Sequence, residues 1–214
     1  NVSFHVVLGV ALGLLLWRPL RPLRGLYRAL LILPWAIPNY ITALVWKGMF
    51  HPEFGAINRA LGALGLPAVS FMSHFATAFG ANAATNVWLG YPFMMVTTLA
   101  ALQSVPEDVL DAAAVDGASG WSRLRHVILP LLRPALVPAV LLGIVWTFNV
   151  FNVVFLVSGG EPDGATEILI TQAYRWAFSR NAQTGYAAAY ATLIFVALWL
   201  YARATRRVLR GTEA

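Results

Sequence analysis

Apolar and polar residues fall in long blocks along this chain, not in the short periods of a water-soluble domain. Five stretches are apolar over most of their length: Val2–Trp17, Leu30–Phe50, Ala81–Leu102, Ala135–Val157 and Tyr186–Ala204. A bilayer core takes about 20 residues of α-helix, so each stretch approximates one span, the first being short. Between them lie a basic connection (18–28), a mixed segment (51–80), a compact charged island (104–134) and a polar segment (158–185). The pattern predicts an all-α polytopic transmembrane bundle of about five spans, forming a single membrane domain over 1–214. Short helices are expected at Gly55–Leu64 and Ser73–Phe79, outside the membrane. Pro34 and Pro38 in the second span, and Gly90 and Pro92 in the third, predict breaks. Broken helices are tolerated where freed carbonyls line a cavity or meet a neighbouring helix, and they recur at transporter substrate sites.

The island 104–134 is the most informative stretch. Its sequence, SVPEDVLDAAAVDGASGWSRLRHVILPLLRP, reads as two short helices hinged at a glycine. Ser104 and Glu107 have capping-box spacing, and Pro106 suits a first-turn position. Asp111-Ala112-Ala113-Ala114 is a strongly helical run. Gly117 can end the first helix as a left-handed cap, Ser119 can start the second, and Pro130 and Pro134 mark the return into the next span. Val109, Leu110, Val115, Trp121 and Leu124 are expected to be exposed, which suits docking into a partner's groove. Asp116 lies near a helix C-terminus, where a carboxylate needs a partner or must cap the next helix.

Composition supports the membrane reading. The chain has 59% hydrophobic and 11% charged residues, against roughly 25% charged in soluble domains. It contains no cysteine, so disulfides and thiolate metal sites are excluded. It begins at Asn1, inside an apolar stretch, which reads as a fragment lacking upstream residues. Of the fifteen basic residues, eleven fall on one side if five spans alternate: Arg18, Arg21, Arg24, Arg28, Arg123, Arg125, Arg133, Arg203, Arg206, Arg207 and Arg210. The positive-inside rule then puts the island and the C-terminus in the cytoplasm. These clusters are juxtamembrane and belong to no nucleic-acid-binding module.

Catalytic chemistry finds no support. No Gly-x-x-x-x-Gly-Lys-Ser/Thr phosphate loop occurs, the four histidines are scattered, and no acidic residue falls within the expected spans. Metal ligands are not spaced for a site. Polar residues inside the spans are few: Asn82, Thr85 and Asn86 in the third, Asn149 and Asn152 in the fourth. Asn149 and Asn152, three apart, are expected to share a helix face beside Trp146 and Phe148. Amides beside aromatic rings suit a neutral polyhydroxy ligand, although asparagine can equally hold spans together.

The island resembles the EAA loop of permease subunits of bacterial ABC importers, carried by Asp111-Ala112-Ala113, Asp116-Gly117-Ala118 and Val127-Ile128-Leu129-Pro130. Asp111 stands where that family usually has glutamate. Nearly the whole chain is similar to the larger permease subunit of maltose-type sugar importers, through LILPWAIPNYITALVWKGMF, NVWLGYPFMM, FNVFN, YRWAF and GYAAAYATLIF. The run at Ser158–Pro162 resembles the family's GGP turn with one inserted residue. The resemblance implies an all-α type I importer permease in the cell inner membrane, with a cytoplasmic coupling-helix hairpin. It implies a second permease subunit, an ATPase homodimer that binds ATP and magnesium, an extracytoplasmic solute-binding protein, surrounding membrane lipid, and no catalytic site in this chain. It implies ATPase coupling through Asp111, Ala112, Ala113, Asp116, Gly117, Ala118, Leu129 and Pro130. It implies sugar contacts at Asn86, Leu89, Gly90, Phe93, Phe148, Asn149 and Asn152, with Phe93 replacing the family tyrosine. Alternatives left open are a permease for another neutral solute, an integral membrane enzyme, and a self-contained channel or secondary transporter. A phosphate-bearing solute is disfavoured because no basic residue lies in the pocket-forming spans.

Overall fold

The computed structural model describes residues 1–17, 24–180 and 182–210. Arg18 and Arg21 of the basic connection lie outside the described residues. All regular structure among the described residues is helical. In chain order the helices are α1 (Val2–Trp17), α2 (Arg24–Ala36), α3 (Asn39–Met49), α4 (Ala56–Ala63), α5 (Phe75–Gln103) and α6 (Glu107–Val115). Then come α7 (Gly120–Phe148), α8 (151–158), α9 (169–179) and α10 (Thr184–Arg210). Helices α8 and α9 each close in a π turn, at Val154–Ser158 and Arg175–Ser179.

By length and composition, two of the described helices can cross a membrane: α7 and the portion Thr184–Arg206 of α10. The pair α2 and α3 forms a third if its 93° bend lies within one span. Pro38 supplies the reason for that bend: it precedes α3 in an extended conformation (φ −52°, ψ 131°) and cannot continue α2. At Pro34, by contrast, α2 runs on through Ala36. Helix α5 also runs unbroken through Gly90 and Pro92, so the break expected there is absent. It begins at Phe75, so the separate helix expected at Ser73–Phe79 is instead the first turn of α5, preceded by a 3₁₀ turn at Phe71–Ser73. The expected fourth span, Ala135–Val157, divides: α7 ends at Phe148 and α8 starts at Phe151.

The chain forms two compact units. One gathers Pro34–Leu89 and Val145–Arg203. Its core is Ala43, Phe50, Ala81, Val153 and Val157, with Trp46, Phe71 and Leu89 packed on it. Asn58 on α4 fastens the adjoining loop, donating to the Pro52 and Val69 carbonyls (3.1 and 2.9 Å) and accepting from Val69 N–H (2.9 Å).

The other unit gathers Val2–Leu33, Gly90–Ile144 and the residues from Ala204. Here α1 turns His5, Gly9, Gly13 and Leu16 inward, a stripe of one helical face. Gly9 and Gly13 form a G-x-x-x-G pair, which lets helix backbones approach closely. A Cβ added at Gly9 would collide with the Met94 side chain and stand 2.8 Å from the Met95 nitrogen; one at Gly13 would stand 2.8 Å from the Thr98 methyl. The contact is reciprocal, because the His5 ring sits where a side chain at position 90 of α5 would project. Gly90 is thus a packing glycine, and α5 continues through it.

Gly9→Leu should therefore lower the thermal-unfolding midpoint of the detergent-solubilised protein, at an overpacking cost of about 1–3 kcal/mol. Gly48→Ala, at a helical position with nothing within 4 Å, should leave the midpoint unchanged or slightly raised.

Candidate functional site

The charged island is built around α6. Pro106 is its N-cap residue, and no side chain caps it. The Ser104 hydroxyl turns back and donates to the Ala101 carbonyl of α5 (2.8 Å), so the expected capping box with Glu107 does not form. Glu107 and Asp108 still place negative charge in the first turn, where the helix dipole favours it. At the other end Ala118 N–H reaches the Ala113 carbonyl (2.9 Å) and Gly117 N–H the Ala114 carbonyl (3.1 Å). With Gly117 at φ +78°, this is a Schellman termination. Gly117 ends the helix as expected, and Ser119 is the N-cap residue of the next, though without a side-chain bond.

The second element of the island differs from expectation. It is no short helix but the root of α7, which runs continuously from Gly120 to Phe148. Pro130 lies inside it. Proline lacks an N–H and its ring crowds the carbonyl four residues back, here that of His126. The wide turn Leu124–Ile128, closed by Leu129 N–H on the Leu124 carbonyl, comes just before it and lets the helix pass through. Pro134 is likewise carried inside the helix.

Leu110, expected at the surface, is 6% exposed. With Leu102, Ile128 and Leu132 it forms a cluster joined by Val105, Leu124, Val127 and Leu129. Ala113, one turn along α6, is buried on the same side. This face seats α6 on the end of α5 and the root of α7. The opposite side presents Asp111, Ala112, Asp116 and Gly117, all exposed, with Val115 at 88% and Trp121 at 69% exposure. Ala118, Leu129 and Pro130 are half-buried. Asp116 is the C-cap residue of α6 through its backbone N–H, and Ser119, not Asp116, is the N-cap residue of the helix that follows. The arrangement is a short helix with an apolar underside fixed to two long helices and an acidic, alanine-rich outer side open to a partner.

The candidate pocket residues divide between the two units. Asn86 and Leu89 on α5, and Phe148, Asn149 and Asn152, belong to one; Gly90 and Phe93 belong to the other. Asn86 is buried, Leu89 packs on the aromatic core, Phe93 is half-buried and Phe148 is exposed at the end of α7. Asn149 and Asn152 do not share a helix face, contrary to expectation. Val150 adopts φ −76°, ψ 61°, and Phe151 N–H bonds the Asn149 carbonyl (2.8 Å), an inverse γ-turn that breaks the helix between them. The Asn149 amide donates to the Val145 carbonyl (3.1 Å), which also accepts the Asn149 backbone N–H (3.3 Å). The Asn152 amide donates to Asn39 Oδ1 (2.8 Å), at the first turn of α3. Two helix breaks, at Pro38 and at Val150, are thereby tied side chain to side chain.

Sequence reasoning missed Asn39; its signal was a polar residue directly after the span-breaking Pro38. It also missed a polar network behind the glycine turn. Ser158 Oγ accepts from the Asn82 amide (2.8 Å) and lies 2.9 Å from Thr166 Oγ1, which donates to the Glu161 carbonyl (2.8 Å). Arg175 pairs with the buried Glu167 carboxylate (2.5 Å) and donates to the Gly159 carbonyl. Glu167 and Arg175 stand eight apart in a polar segment, and Glu167 precedes α9, so no single periodic element marks them as a pair.

For the Asn39–Asn152 tie, a double-mutant cycle on thermal unfolding with Asn39→Ala and Asn152→Ala should give a favourable coupling of about 0.6 kcal/mol, the common value for interhelical side-chain bonds in membranes. Strictly additive effects would mean that the bond is not made.

Residues 6–210 match the family described as binding-protein-dependent transport system inner membrane component. The trehalose/maltose transport system permease protein MalF of Thermococcus litoralis is 36% identical over 176 residues, covering 82% of this chain and 59% of that protein. The maltose/maltodextrin transport system permease protein MalF of Escherichia coli K12 is 37% identical over 207 residues, covering 92% of this chain and 40% of its own length. The chain thus spans between two-fifths and three-fifths of these relatives. Among solved structures, a bacterial alginate ABC transporter in complex with an alginate pentasaccharide-bound periplasmic protein superposes with a TM-score of 0.83 over 97% of this chain and 74% of its own, at 21% identity, a likeness of fold. The chain belongs to the binding-protein-dependent transport system inner membrane component family, a multi-pass membrane permease family of ABC importers.

Proposed function

We propose that this chain forms part of the translocation path of an ATP-driven importer for a neutral sugar of the maltose, trehalose or oligosaccharide class. It works with a second permease subunit, a pair of ATPase subunits that bind ATP and magnesium, and an extracytoplasmic solute-binding protein. The seating of α6 carries this reading. Its outer side, Asp111, Ala112, Asp116 and Gly117, is open for a partner, while Leu110 and Ala113 fix its underside to the ends of α5 and α7. A push on the outer side then reaches two long helices without first deforming the short one. The clustering of eleven basic residues on one side of the alternating spans supports a cytoplasmic position for this surface.

The sugar class rests on the relatives' names and on the chemistry of the expected contact residues: the amides Asn86, Asn149 and Asn152, the rings Phe93 and Phe148, and the small or apolar Gly90 and Leu89. Amides donate and accept hydrogen bonds with hydroxyls, and rings cover the apolar faces of sugars. Phe93 offers a ring without a hydroxyl, which favours stacking over a hydrogen bond at that position.

In proteoliposomes of the assembled transporter, Gly117→Asp should abolish sugar-stimulated ATPase activity and uptake while the subunits still co-purify, because a side chain at φ +78° strains the turn that aims α6. Undiminished coupling would refute the role of α6. Asn86→Ala combined with Asn149→Ala should reduce sugar uptake by tenfold or more, about 1.4 kcal/mol, with assembly retained. Uptake at the original level would remove these residues from the path.

A further inference from the structure

We infer that the turn Arg203–Arg206 of α10, with the apolar strip leading into it, binds an anionic phospholipid. Phe195, Val196 and Trp199 are exposed on α10, and Arg203 and Arg206 follow them, exposed as well. At 100° per residue, positions 195, 196, 199, 203 and 206 of this one helix fall within about a third of its circumference. The stripe is therefore continuous: apolar first, then cationic. From Val196 to Arg206 it runs about 15 Å, the hydrocarbon depth of one leaflet.

The cations on this stripe are not spoken for. The Arg203 guanidinium lies over the Trp199 ring at 5.5 Å, and neither it nor Arg206 forms an ion pair with a described residue. No acidic residue occurs from Thr184 to Arg210. The arginines elsewhere whose contacts are known differ: Arg175 is paired with Glu167, and Arg180 bonds Gln172 and covers Trp176. A soluble anion would use the arginines alone. An anionic phospholipid uses the whole stripe: an acyl chain along Phe195, Val196 and Trp199, and a phosphate within reach of guanidiniums that bind it by charge-assisted hydrogen bonds. Trp199 sits between the two regions, with its ring already bearing a cation. A zwitterionic lipid offers the same acyl chain but opposes the arginines with its own cationic head.

The test is lipid competition on the purified transporter containing this full chain, in nanodiscs of equimolar phosphatidylglycerol and phosphatidylcholine. Lipids retained after delipidation are read by native mass spectrometry. Phosphatidylglycerol should be enriched, and Arg203→Gln and Arg206→Gln should each lower its retention roughly fivefold. Arg203→Lys with Arg206→Lys should keep most of it. If the glutamine variants fail to insert, quenching of Trp199 in the wild-type protein decides, with Trp199→Phe as the blank: brominated phosphatidylglycerol should quench it more than brominated phosphatidylcholine. Equal retention of both lipids, equal quenching, or displacement of phosphatidylglycerol by inorganic phosphate or an oligonucleotide would overturn the proposal.

Discussion

The apolar seat beneath α6 is the contact on which the mechanical reading depends. Leu110 packs against Leu102, Ile128 and Leu132, and Ala113 is buried one turn along the same nine-residue helix. A helix this short has little stability of its own in water, so its form comes from this packing. The Schellman turn at Gly117 then fixes where the chain goes next, and the root of α7 begins three residues later. Without the seat, force on α6 would unfold or tilt it. With the seat, force passes into α5 and α7 together.

A second constraint acts inside the membrane, where backbone polar groups must find partners within the protein. The breaks in the long helices obey it. At Pro38 the chain bends by 93°, and at Val150 an inverse γ-turn ends α7. The Asn149 amide serves a carbonyl of the ending helix, and Asn152 ties the second break to Asn39 at the first. Asparagine therefore has structural work at both breaks. The sugar reading and the interhelical reading of these amides are compatible, since a group that bonds a neighbouring helix keeps acceptor capacity for a ligand hydroxyl.

Much of this was legible in the sequence. Hydropathy blocks located α1, α10 and the bend at Pro38, and small residues with a glycine at the right offset gave α6 and its end. What was not legible has physical causes. The continuity of α7 through Pro130 depends on a π turn, which no local propensity marks. The close packing at Gly90 of α5 involves His5, more than eighty residues away in sequence. The packing of α1 could have been read from Gly9 and Gly13, because G-x-x-x-G is a local pattern. The burial of Leu110 could not, because it depends on where the root of α7 lies. The face shared by Asn149 and Asn152 failed because helical spacing was assumed across a turn that ends the helix.

The central claim is that the outer side of α6 meets a separate ATPase subunit. Since the chain contains no cysteine, one introduced at Ala112 gives a single attachment point for a short bifunctional cross-linker. In membranes containing the assembled transporter, Ala112→Cys should cross-link to a larger, ATP-binding polypeptide, with a yield that changes when ATP is added. A cysteine at Ala113, on the seated side, should not. No cross-link from position 112 to any ATP-binding subunit would contradict the account.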